Sequence, residues 1–75
     1  FNPLTTIRYQ VPEMSQVQLM IYDIRGRRIL TLVDRKHGPG YYDAEFKNES
    51  LPSGVYLYTL QAAEFKDAKK MVILK

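Results

Sequence analysis

Few residues in this 75-residue chain could do chemistry, and their spacing does not suit it. His37 is the single imidazole and there is no cysteine. A zinc site needs several nitrogen or sulfur ligands, and a thiol nucleophile or disulfide needs cysteine, so these chemistries drop out. Ser15, Ser50 and Ser53 could supply a hydroxyl to a Ser-His-Asp relay, but nothing in the pattern brings them together with His37, and Ser53 is better used shaping the turn before Gly54. Asp43, Glu45 and Glu49 could contribute to a calcium site, yet the Asp-x-Asp-x-Asp-Gly spacing of a dedicated loop is missing, which leaves them as solvent-facing carboxylates. Asn48-Glu49-Ser50 has the form of a glycosylation sequon, which matters only in a eukaryotic secretory pathway. The reading is a chain that is not an enzyme, with no catalytic residue, metal ligand or cofactor site.

Binding chemistry has more to work with. Six tyrosines raise the possibility of stacking on sugar rings. Tyr9, Tyr56 and Tyr58 fall on inward faces of their strands, so Tyr22 and Tyr41 are the candidate exposed platform. The formal net charge is +3. Its cations gather at Arg25, Arg27, Arg28, Arg35 and Lys36, and again at Lys66, Lys69, Lys70 and Lys75. A β module that binds nucleic acid adds exposed aromatics at regular spacing on its basic face. These clusters fall instead at turns, strand edges and the chain end, where charge protects an edge from pairing with another chain. Neither nucleic acid nor a small-molecule substrate is expected.

Positioning these residues requires strands. The dominant hydrophobic period is two, as in half-buried strands. Ile7, Tyr9 and Val11 share one face of residues 5–11, and Val17, Leu19 and Ile21 share one face of residues 16–22. Asp23-Ile24-Arg25-Gly26 reads as a turn: the aspartate can bond backbone two residues on, and glycine allows the positive φ that closes a bulged hairpin. The return strand, residues 27–33, offers Ile29 and Leu32 to the core, a spacing of three that needs a bulge or local twist. Residues 34–40 read as a polar loop punctuated by glycine and proline. Tyr42, Ala44 and Phe46 alternate inward next, followed after Leu51-Pro52-Ser53-Gly54 by Tyr56, Tyr58 and Leu60. The last strand, residues 66–74, is expected to dock through Val72 and Leu74 while Lys69, Lys70 and Lys75 keep its edge soluble.

Six strands, or seven if one splits, with turn signals every 8–12 residues and no useful helical period, describe an all-β chain: a small antiparallel immunoglobulin-like β-sandwich. Seventy-five residues leave room for one domain, residues 1–75, and for little stability beyond about 4–11 kcal/mol. The longest apolar run, Met71-Val72-Ile73-Leu74, is far short of the ~20 residues of a membrane-spanning helix. The start at Phe1-Asn2-Pro3 has no basic-then-apolar leader and reads as a cut, with any targeting signal upstream. Leu51, Gly54 and Tyr56 have the spacing at which such sandwiches turn a corner and return a tyrosine hydroxyl to nearby backbone.

The ordered set Asn2-Pro3, Thr5-Thr6-Ile7-Arg8-Tyr9, Pro12-Glu13, Val17-x-Leu19-x-Ile21-Tyr22-Asp23-x-x-Gly26-Arg27, Thr31-Leu32-Val33, Gly40-Tyr41-Tyr42, Ser53-Gly54-Val55-Tyr56-Leu57-Tyr58 and Lys69-Lys70-Met71-Val72-Ile73-Leu74-Lys75 resembles the type A C-terminal sorting domain of the type IX secretion system. The resemblance covers essentially the whole chain. It implies a non-catalytic address at the end of a larger exported protein of a Gram-negative bacterium, reaching the cell surface or medium through the periplasm and outer membrane. Its partners would be the outer-membrane translocon, sortase-like components that remove the domain, and a covalently linked N-terminal cargo domain, the sorting domain itself being a monomer. The residues carried over as sorting motif are Asn2, Pro3, Asp23, Gly26, Arg27, Gly54, Tyr56, Lys69, Lys70, Met71, Val72, Leu74 and Lys75. Phe46-Lys47-Asn48 stands where the family often has a Trp-led turn, and Ala62-Ala63 where it often has glycine. An immunoglobulin-like module of flagellar hook-capping proteins shares the Asp-x-x-Gly-Arg hairpin and the Gly-Val-Tyr strand. The competing reading is an accessory carbohydrate-binding or spacer module of a multidomain extracellular enzyme.

Overall fold

A computed structural model describes residues 4–74 and is all-β, with six strands: β1 (Leu4–Val11), β2 (Ser15–Asp23), β3 (Arg28–His37), β4 (Gly40–Lys47), β5 (Gly54–Ala62) and β6 (Phe65–Ile73). All pairings are antiparallel and fall into two sheets, β1-β4 and β3-β2-β5-β6. The two sheets form the layers of a small sandwich. Alternation puts Ile7, Tyr9, Val11, Ala44 and Phe46 on the inner face of one layer, and Val17, Leu19, Ile21, Tyr56, Leu60 and Ala62 on that of the other. Leu51, from the loop before β5, plugs the same core.

Three sequence expectations are corrected. First, residues 34–37 are not loop: β3 continues to His37, pairing Arg35 with Val17 and His37 with Ser15, so backbone ladder bonds override a polar, exposed run of side chains. The crossing between layers is reduced to Gly38-Pro39. Second, of the two core residues expected in β3, Leu32 packs against the core but Ile29 does not. Leu19 faces Val33 and Met20 faces Thr31, then Ile21 faces Leu30 and Tyr22 faces Arg28. Two bulges thus leave Leu32 and Ile29 as the extra residues, and Leu30 and Val33 point inward. Leu30, Leu32 and Val33 pack partly buried against the core, while Ile29 is exposed.

Third, the last strand docks by its other face. Met71 lies opposite buried Tyr56, and Ile73 opposite Gly54, so these two side chains enter the sandwich. Val72 and Leu74 are 57% and 76% exposed. Both faces of β6 are apolar near its end, so the pattern alone does not choose between them; the register against β5 does, because a one-residue slip would exchange the faces.

Candidate functional site

Three local constructions hold the residues singled out as sorting motif. At the β2-β3 hairpin, the Asp23 carboxylate accepts from the Arg25 and Arg27 amides at 2.9 and 3.0 Å, and Oδ2 accepts from Arg27 Nε at 3.0 Å. The Gly26 amide donates to the Asp23 carbonyl at 3.0 Å, and Gly26 sits at φ +86°, where a Cβ would be strained. This set of donors, the Arg27 amide foremost, holds the Asp23 carboxyl below its ordinary value of 3.8 despite an opposing desolvation cost. Asp23, Gly26 and Arg27 therefore form one rigid turn.

At the corner before β5, the buried Tyr56 ring sends its hydroxyl to the Pro52 carbonyl at 2.6 Å, the bond expected from the Leu-x-x-Gly-x-Tyr spacing. Gly54 opens β5 beside it, facing Ile73. Upstream, Asn48 is buried and its amide donates to Thr5 Oγ1 at 2.7 Å, tying the loop to β1. A buried, bonded Asn48 amide is not presented for glycosylation.

The third construction is the terminal strand. Lys70 and Val72 lie on the outer face of the four-stranded sheet, in register with Leu57 and Val55, and Tyr22 continues the Leu57 row. Lys69 is exposed on the inner-facing side of β6, opposite Tyr58. It borders a groove of about 460 Å³ lined by Tyr9, Tyr58, Leu60 and Phe65, where the two-stranded layer stops short of β6. Asn2, Pro3 and Lys75 lie outside the described residues.

The structure separates the other candidates. Tyr41 is 82% exposed on β4, whereas Tyr22 is half-buried on β2 in the other sheet with its hydroxyl donating to Met20 Sδ at 3.5 Å. The two do not make one stacking platform. His37 is turned into an aromatic cluster, with the Tyr9 hydroxyl 3.1 Å from Nε2 and the Tyr42 ring stacked at 4.0 Å. Tyr42 donates to the Gly38 carbonyl at 2.8 Å. Residue spacing does not reveal this cluster, because His37 lies in the polar, glycine- and proline-punctuated run that has no strand alternation of its own. Burial, followed by the nearby Tyr42, raises the Tyr9 pKa, against a lowering influence from Arg35. Among the described residues no group of three or more His, Asp or Glu side chains is placed to hold a metal.

The molecule so defined is a two-layer β domain with rigid turns and a displayed terminal strand, a class suited to being recognised. The family comparison gives that class its particular identity: the chain belongs to the secretion system C-terminal sorting domain family, whose model matches residues 2–74. It is a sorting signal of type IX secretion, which places it in a secreted or cell-surface protein, attached to cargo and interacting with the secretion machinery. No curated protein and no solved structure matches the chain.

Proposed function

We propose that residues 1–75 act as one non-catalytic domain whose folded surface is read by the outer-membrane type IX translocon of a Gram-negative bacterium, after which sortase-like components remove it from its N-terminal cargo. The family match over residues 2–74 carries this reading. The motif residues support it by dividing into two roles. Asp23, Gly26, Arg27, Gly54, Tyr56 and Met71 shape and lock the fold, and Lys69, Lys70, Val72 and Leu74 stay exposed for recognition. Asn2, Pro3 and Lys75 complete the motif in sequence. The carbohydrate-binding alternative loses its main support because Tyr22 and Tyr41 lie on different sheets.

Deleting residues 69–75 from a reporter that carries the chain at its C-terminus removes the exposed motif together with Met71 and Ile73. The reporter should then accumulate in the periplasm, while the intact fusion leaves the cell and loses about the domain's 8.8 kDa. Export of the truncated fusion at the level of the intact one would refute the proposal.

A further inference from the structure

An antiparallel sheet with one face on a core ordinarily turns polar residues to solvent on the other. The two-stranded layer obeys through its middle: Thr6, Arg8, Asp43 and Glu45 occupy its outer face, with Arg8 and Asp43 paired at 3.4 Å, and its exposed Leu4 and Tyr41 stand apart at opposite ends, each beside a polar partner, Lys47 and Gln10. The four-stranded sheet obeys only at one end. There Gln18, Gln61 and Lys66 share a row. At the other end Tyr22 and Leu57 share a row with Lys70, Val55 stands opposite Val72, and Leu74 follows just past the strand. Val55, Leu57, Val72 and Leu74 are all substantially exposed. Nothing else in residues 4–74 lies over them, since the other layer occupies the opposite face.

Resting on the sorting function above, we infer that the Tyr22-Val55-Leu57-Val72-Leu74 patch on the outer face of the four-stranded sheet is the surface through which the domain docks on a protein of the type IX machinery, one presenting an apolar face rimmed by carboxylates. The rim determines the partner's charge. Arg28 stands opposite Tyr22 and Lys70 opposite Leu57, so cations flank the Tyr22-Leu57 row at both ends. Paired acids would neutralise them as water leaves, whereas a second copy would bring like charges together. The tethered cargo fits less well. The described chain enters through β1, in the opposite layer, away from this patch. Apolar side chains at solvent-facing strand positions also weaken solubility, and a partner that covers them accounts for their clustering beside the terminal motif.

The test uses the full chain fused to a folded periplasmic reporter in a host with an active type IX system. Leu57→Gln with Val72→Gln should leave the melting temperature within a few degrees of the parent and lower the exported fraction at least tenfold, with the reporter held in the periplasm. A Tyr41→Gln control, exposed in the other layer, should be exported normally. Should the double variant melt early, Lys70→Glu with Arg28→Glu, both exposed, carries the decision and should show the same export defect. Folded patch or rim variants exported like the parent would overturn the inference, as would self-association of the parent at micromolar concentration that the patch variant abolishes. Failure of the parent fusion itself to leave the cell would instead count against the sorting function.

Discussion

Individual side chains decide the geometry of this domain at its turns, and Asp23 does so most visibly. Its carboxylate is stabilised by two backbone amides and one guanidinium, all of which are lost in the unfolded chain. Its folded pKa is therefore depressed, so the stability it contributes is present above its ordinary value of 3.8 and is lost as pH falls through the lower folded value. Asp23→Ala should lower the melting temperature at pH 7 and remove this part of the acid dependence, which melting curves from pH 2 to pH 7 would show. Ala63 presents the opposite case. It sits at φ +55°, as the first of the two central residues, Ala63 and Glu64, that join β5 to β6, where a II′ turn favours glycine. Ala63→Gly should stabilise by about 0.5–1 kcal/mol, the relief of left-handed strain outweighing the extra chain entropy of glycine. Tyr56→Phe should cost about 1 kcal/mol through loss of the bond to the Pro52 carbonyl, seen as a drop in melting temperature of roughly 4–8 °C. The Asp23 and Tyr56 features were legible in the residues themselves because each rests on a local rule, aspartate opening an Asp-x-x-Gly turn and tyrosine two residues after a corner glycine; the positive φ of Ala63 was not, because alanine carries no signal for it.

Elements were legible where alternation was one-sided and less so where it was not. β1, β2, β4 and β5 bury the residues that the period of two selects, although β5 also carries Val55 and Leu57 on its other face. β3 hid its core because two bulges break the period, and its last residues hid their strand character because only the backbone pairing with β2 reveals it. β6 is apolar on both faces near its end, so register alone assigns Met71 and Ile73 to the core. That assignment has a sharp consequence. Ile73→Ala should cost about 2–5 kcal/mol, a large part of the stability of so small a domain, while Val72→Thr should change it by less than about 0.5 kcal/mol. Denaturant midpoints for the two variants check it, and a larger loss for Val72→Thr than for Ile73→Ala would mean that β6 docks in the other register.

Across the whole molecule, the two layers are joined by the shared core and by the contact of Tyr9, from β1, with His37 at the end of β3. The Tyr9 phenol is favoured in its neutral form by burial, so above its ordinary value of 10.0 the unfolded chain ionises first and stability falls as pH rises toward the folded value. Tyr9→Phe should flatten that alkaline limb in melting experiments between pH 8 and pH 11. The same layering explains why the recognition surface could not be read from sequence. It is assembled across β2, β5 and β6 by register, and its aliphatic members look like core residues in one dimension. The measurement that bears most directly on the account is the extracellular fraction of an inert periplasmic reporter carrying residues 1–75 at its C-terminus, compared between a host with an intact type IX translocon and the same host lacking it. Delivery outside the first and retention in the periplasm of the second is the expected result. Retention in both, with the domain shown by its melting transition to be folded, would contradict it.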